Sequence, residues 1–262
     1  MATWKMYLMT VLATALSGCA GPAVNPSFSV TSQEARKSLQ ELDRHPGKLK
    51  RPVVVIGGFQ EMGIPTAGLT RAIADAFPNQ MVIGVRMSGC ETFDACADKV
   101  IAAVLARIPS ERKGRTAEMD VIAISMGGLV ARYAALPHKG RPWLWIHRLY
   151  TISTPHRGAR LAVLPTFSEL QRAMRAKSAF MNRLNAAPRD YEIVPYVRLG
   201  DQEVGPVNAA PTGQIAWWVP YGNIFTAHNL AYSDPRIRMD IILRLRGDRP
   251  VTLPPPATLP GK

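Results

Sequence analysis

The stretch DVIAISMGGLVARY, Asp120–Tyr133, joins a continuous apolar run to an amphipathic pattern through Ser125, Met126, Gly127 and Gly128. An apolar run of this length reads as a strand buried on both faces, and LVARY repeats its apolar residues at helical spacing. The small residues after Ser125 allow a tight strand-to-helix turn. Such a turn lifts the serine out of the sheet and brings the free N–H groups of a helix N-terminus beside it. A helix returning directly from a buried strand is the repeating unit of a mostly parallel sheet.

The same alternation extends outward from this unit. Further strands are expected at Pro52–Gly58, Gln80–Met87, His147–Thr154, Val194–Gly200 and Gln214–Pro220, with Met119–Ser125 in the middle. Helical patterns occupy Ala67–Phe77, Phe93–Ile108, Met126–Leu136 and Pro235–Arg246. The chain has 262 residues, 47% of them hydrophobic and 19% charged, enough for one good-sized core and too short for two ordinary enzyme domains. The folded domain is expected over 32–248, with a helical insert at 161–190 and a proline-rich tail, 249–262, disordered or draped on the surface.

Near the start, Lys5 precedes an apolar run, Met6–Leu16, that ends in LSGC at Leu16–Cys19. The run is too short to cross a bilayer, which takes about 20 apolar residues. Residues 1–18 resemble a bacterial lipoprotein signal, whose lipobox ends in the cysteine that becomes the lipidated N-terminus. The resemblance implies lipidation of Cys19, a flexible tether over 19–31, and a place in the cell envelope, at the outer membrane facing the periplasm. Ala20 is not the aspartate that often retains lipoproteins at the inner membrane.

Export would place Cys90 and Cys96 in an oxidising compartment, where a disulfide would close a small loop worth roughly 2 kcal/mol. Two buried free thiols are the other reading. The formal net charge of +13 favours anionic lipid surfaces, although a basic balance can equally reflect solubility alone. Nucleic acid is not the expected partner, because no recognisable binding motif accompanies the charge. No metal-ligand spacing or phosphate-binding loop is present, so neither metal nor organic cofactor is expected.

From about Arg51 to Gly247 the chain resembles the α/β-hydrolase family. AISMG at Ala123–Gly127 differs from the family's nucleophile elbow, G-x-S-x-G, only in having alanine for the first glycine. VVVIGGF at Val53–Phe59 stands where members carry a strand ending in HG and an apolar residue, and TISTPHRGAR at Thr151–Arg160 resembles the T-x-x-T-P-H-x-G element of lipase-like deacylases. The resemblance implies an α/β-hydrolase fold with a helical cap or lid at 161–190. It also implies Ser125 as nucleophile, with the backbone N–H groups of Phe59 and Met126 as oxyanion donors. Gly57 replaces the family's usual histidine, so the loop before Phe59 must be held differently.

The family order is Ser, then Asp or Glu, then His. Of the five histidines only His228 follows the last expected strand. Asp201 follows the strand before it, with Glu203 as the substitute two residues on.

Within the insert, SELQRAMRAKSAFMNRL (Ser168–Leu184) reads as one amphipathic helix with Leu170, Met174, Met181 and Leu184 near one face and Arg172, Arg175 and Arg183 among its basic residues. It could be a mobile lid over an acyl pocket or a helix fixed on the core.

The expected activity is hydrolysis of carboxylic esters, of lipid or of short-to-medium acyl type, by a membrane-tethered serine esterase or lipase. Acyl transfer to another alcohol by the same residues, and a non-catalytic envelope lipoprotein keeping the fold, are the alternatives.

Overall fold

Among the described residues six strands, β1 (Val53–Ile56), β2 (Val82–Val85), β3 (Met119–Ile124), β4 (Ile146–Ile152), β5 (Glu192–Arg198) and β6 (Trp217–Val219), form one sheet in the order β2-β1-β3-β4-β5-β6. Every neighbouring pair is parallel. The computed structural model describes residues 27–61, 63–220 and 226–260. The expected signal at 1–18, Cys19 and most of the 19–31 tether lie outside the described residues. Among those described, no helix is long and apolar enough to cross a membrane.

The helices are α1 (Ser32–Arg44), α2 (Ile64–Ala76), α3 (Phe93–Leu105), α4 (Gly127–Ala134), α5 (Glu169–Ala173), α6 (Ala179–Ala186), α7 (Ala227–Leu230) and α8 (Pro235–Arg246). They cover both faces, and the strands show why their sequences are apolar without interruption. Alternate residues point to opposite sides. Val54 and Ile56 of β1, with Val121 and Ala123 of β3, pack under α3 and α4. Val53, Val55, Ile122 and Ile124 pack against α1, α2 and α8. The chain thus has the α/β-hydrolase fold, a mostly parallel sheet flanked by helices. Each crossover returns the chain to the same end of the sheet, so the loops after β1, β3, β5 and β6 gather at the carboxyl ends of the strands.

Four sequence expectations need correction. Helix α1 was not expected at all. It starts with a capping box, in which the Thr31 hydroxyl accepts the Glu34 N–H at 3.2 Å and Glu34 accepts the Thr31 N–H at 2.7 Å. Only Ala35 and Leu39 of this helix are buried, so its apolar stripe is thin.

The helix read across Ser168–Leu184 is two short helices, α5 and α6, each capped by its own serine, Ser168 and Ser178. Between them Lys177 takes a left-handed φ of 62°. The chain there runs against Gly158, where a Cβ would lie 2.5 Å from the Ala176 nitrogen. Leu170, Met174, Met181 and Leu184 are all buried in the core on the α3–α4 side. The insert therefore rests on the core by its apolar face.

The end of the tether is tied down rather than flexible, and of the tail's two readings the draped one is found. Phe28 is buried and bridges to Thr252, and the Trp218 indole N–H donates to the Ala257 carbonyl at 3.1 Å. Buried Asp240 accepts from the Thr252 N–H at 2.9 Å, the Tyr196 hydroxyl at 2.7 Å and Arg244 at 2.8 Å, fastening α8, β5 and the tail together.

The disulfide is not formed. Cys90 and Cys96 are both free, Cys96 buried on the inner face of α3 and Cys90 partly exposed. Burial, with the neighbouring Cys90 side chain, pushes the Cys96 thiol well above the ordinary thiol range.

Candidate active site

Ser125 directly follows β3 and takes a left-handed φ of 51°, a conformation costing a non-glycine residue about 1 kcal/mol or more. Its N–H is held by the Ile152 carbonyl at 2.8 Å, and its carbonyl accepts the Thr154 hydroxyl at 2.8 Å. The two glycines after the turn are needed for close approach. A Cβ on Gly127 would lie 2.5 Å from the Gly57 carbonyl oxygen, and one on Gly128 only 2.2 Å from the Thr154 hydroxyl. Helix α4 is thereby pressed onto the end of β1, with Met126 as its N-cap. The N–H groups of a helix's first turn have no intrahelical partner.

The loop after β1 passes directly beside the serine. A Cβ on Gly58 would sit 3.2 Å from that of Ser125, and Phe59 lines the same cavity as Ser125. How the chain manages without the histidine at Gly57 is now visible. Glu61 Oε2 accepts the Gly58 N–H at 2.9 Å and the Thr66 hydroxyl at 2.8 Å, while Oε1 accepts the Thr66 N–H at 2.6 Å. A Cβ on Gly57 would lie 2.4 Å from the Thr66 hydroxyl and 2.6 Å from Glu61, so glycine is required where that pair sits. Glu61 escaped the sequence reading because its partners meet only when the loop folds back onto α2.

The three residues expected from the sequence come together. The Ser125 hydroxyl lies 3.0 Å from His228 Nε2, and His228 Nδ1 lies 2.9 Å from Asp201 Oδ2. A carboxylate can only accept, so Nδ1 carries the proton and Nε2 is left to accept from the serine. Asp201 is fully buried, and its other oxygen accepts the N–H groups of Glu203 and Val204, both at 3.0 Å. Burial pushes the Asp201 carboxyl up, but the His228 hydrogen bond and charge and the Val204 N–H outweigh it and hold the carboxyl below its ordinary range. Burial pushes His228 down, whereas the Asp201 hydrogen bond and charge, with Glu203, carry it above its ordinary value. Glu203 lies 3.6 Å from His228 Nε2, on the serine side of the ring, so it is not placed as a substitute for Asp201.

His156 has a different environment. It is fully enclosed, with Nδ1 accepting from Arg132 at 3.2 Å and Nε2 donating to the Thr151 hydroxyl at 3.0 Å. Arg132 Nη2 also donates to the Leu184 carbonyl and the Asn185 side chain, both at 2.9 Å. Burial pushes Arg132 down to about 10, and burial with the Arg132 charge holds His156 far below its ordinary value. This neutral imidazole and buried cation join α4 beneath the serine to α6 of the insert.

Two clefts meet at Ser125 and His228. One, of about 240 Å³, is mainly apolar and lined by Phe59, Pro155, Leu161, Leu164, Met174 and Val204. The other, of about 300 Å³, lies towards Gly58, Glu61, Ile64, Asn229 and Tyr232. Among the described residues no group of three or more His, Cys, Asp or Glu side chains is arranged to hold a metal ion.

No protein-family model matches the chain, and no curated protein matches it. Solved structures similar to it include the phospholipase PlaB from Legionella pneumophila, at 18% identity and a TM-score of 0.43 over 56% of this chain and 39% of that one. Est1E from Butyrivibrio proteoclasticus is 12% identical, with a TM-score of 0.49 over 78% and 90% of the two chains. An esterase from Pyrobaculum calidifontis is 14% identical, with a TM-score of 0.48 over 82% and 91%. The chain thus spans about two fifths of the length of PlaB.

Proposed function

We propose that the protein is a serine hydrolase of carboxylic esters, acting through an acyl-enzyme on Ser125. The observation that carries this reading is the unbroken relay from Ser125 Oγ to His228 Nε2 at 3.0 Å and from His228 Nδ1 to Asp201 at 2.9 Å, opening into an apolar cavity.

In the first step Ser125 Oγ attacks the ester carbonyl carbon while its proton passes to His228 Nε2. The carbonyl oxygen becomes an oxyanion, for which the N–H groups of Met126 and Phe59 are the donors in reach of the turn. Collapse breaks the bond to the alcohol oxygen, which leaves with the proton from Nε2. A water then gives its proton to Nε2 and attacks the acyl carbon, and the proton returns to Ser125 Oγ as the acid departs. Asp201 holds the tautomer and stabilises the imidazolium without taking the proton itself.

The apolar cleft suits the acyl group and the second cleft the alcohol. At about 240 Å³ the first falls just under the usual range for small-molecule pockets, roughly 300–1,000 Å³, which fits a short-to-medium acyl chain. The enzyme works tethered in the bacterial cell envelope, at the outer membrane facing the periplasm, through lipid on Cys19. Support for the tether is the lipobox reading of Leu16–Cys19.

Turnover of p-nitrophenyl esters of increasing chain length by the wild type and by His228→Ala tests the chemistry. Loss of several decades in the folded variant is expected. Near-normal turnover by His228→Ala would remove the assignment. Replacing Cys19 by serine should abolish incorporation of labelled palmitate and release the protein from membranes.

A further inference from the structure

The insert carries its apolar helix faces inward, yet the segment just before α5 does the opposite. Leu161, Val163, Leu164 and Phe167 all project into solvent, Phe167 completely, and across the mouth Ile64 does the same at the start of α2. A contiguous exposed apolar patch of this kind marks an interaction surface rather than ordinary surface scatter. Leu161 and Leu164 are also walls of the apolar cleft, so the patch continues into the cavity that holds Ser125.

The backbone of this segment is fixed by arginines. Arg175 donates to the Ala162 carbonyl at 2.8 Å and the Leu164 carbonyl at 3.2 Å, and Arg172 donates to the Phe167 carbonyl at 2.9 Å. Arg160, at the head of the segment, donates to the Gln202 side-chain oxygen at 2.8 Å. These partners are neutral oxygens, so the cations keep their charge around the apolar tip, in a chain whose formal net charge is +13.

We infer that Leu161–Phe167 is a fixed docking surface for an anionic lipid bilayer, in which Val163 and Phe167 enter the acyl region while Arg160, Arg172 and Arg175 meet the headgroups. The inference rests on the ester-hydrolase reading for its choice of occupant. A folded protein seated on this patch would cover the mouth of the apolar cleft and exclude substrate. A lipid surface presents esters to that mouth, and the three arginines match its charge. The contact is separate from the N-terminal anchor and involves no swinging lid, because α5 and α6 are packed on the core.

The test uses the full chain with Cys19→Ser in every sample, so that no N-terminal lipid contributes. Flotation with vesicles of phosphatidylcholine, or of an equimolar phosphatidylcholine–phosphatidylglycerol mixture, is compared for this parent and for Val163→Ser/Phe167→Ser. Both substituted positions are exposed, so folding is preserved. Expected is parent binding that is stronger on the anionic vesicles and weakens with salt, and a loss of at least about tenfold in partitioning for the double variant. Its turnover of a soluble p-nitrophenyl ester should match the parent's. Equal flotation of parent and double variant would overturn the docking surface. So would a parent dimer that the double substitution converts to a monomer without changing flotation, since the patch would then join two copies of this chain. If the parent binds and the double variant does not, while neither turns over any ester, the docking surface stands and the ester-hydrolase reading falls.

Discussion

Glu61 Oε2 accepts the N–H of Gly58 at 2.9 Å, and so fixes the residue just before Phe59 from the space beside Gly57 that a side chain there would fill. The same carboxylate bonds Thr66 at the start of α2. The loop beside Ser125 is therefore tied to a helix rather than to a histidine.

Glu61→Ala should lower kcat of ester turnover by roughly tenfold to a hundredfold with little change in KM, because a displaced oxyanion donor weakens binding of the transition state more than of the substrate. Steady-state kinetics on a soluble ester check this, and Glu61→Gln, which keeps one acceptor oxygen, should recover part of the loss. An unchanged kcat in Glu61→Ala would remove the loop from the chemistry.

Asp201→Asn should cost about four decades in kcat through the wrong imidazole tautomer. Glu203→Gln should cost far less, since Glu203 faces Nε2 across 3.6 Å and makes no bond to Nδ1. Parallel kinetics of the two variants decide which carboxylate orients His228. A larger loss in Glu203→Gln would reverse the assignment.

The pH profile follows from His228, which must be neutral to accept the serine proton. Its pKa is raised, burial being outweighed by Asp201 and Glu203, so the acidic limb of kcat/KM should lie above 6.5. Glu203→Gln removes one of the charges that raise it and should move the limb down. A limb below 6.5 in the wild type would contradict the geometry.

His156 acts with the opposite sign and on stability. Its pKa is lowered by burial and by Arg132, so below 6.5 the unfolded chain binds a proton that the folded chain refuses. Stability should fall with pH below that point, with a contribution approaching about 1.4 kcal/mol per pH unit. Urea unfolding across pH measures the slope, and His156→Gln should flatten it.

Arg132→Met should destabilise the fold by about 2–3 kcal/mol, because His156, the Leu184 carbonyl and the Asn185 side chain lose their buried donor together. Urea midpoints at neutral pH check this. A shift within error would mean that α6 is held by its apolar face alone.

Local residue pattern went a long way in anticipating the fold. Strands buried on both faces declare themselves as unbroken runs such as Val53–Ile56, and Asp234 before Pro235 marks the start of α8 by its capping chemistry. Ser125, Asp201 and His228, which the structure brings together, were singled out by the α/β-hydrolase resemblance and its order of serine, acid and histidine along the strands. What escaped depends on contacts between distant segments. Glu61 needs the loop to turn back, Arg132 and His156 need α6 laid across α4, and the break before Ser178 needs Gly158 underneath. Helix α1 was missed for a different reason, since its Thr31–Glu34 capping box was present but its core-facing stripe is only Ala35 and Leu39.

Mass spectrometry after exposure to a fluorophosphonate probe reads whether Ser125 is the nucleophile. One stoichiometric adduct is expected on Ser125, absent from a folded Ser125→Ala variant and strongly slowed in His228→Ala. No adduct on the wild type, or equal labelling of Ser125→Ala, would contradict it.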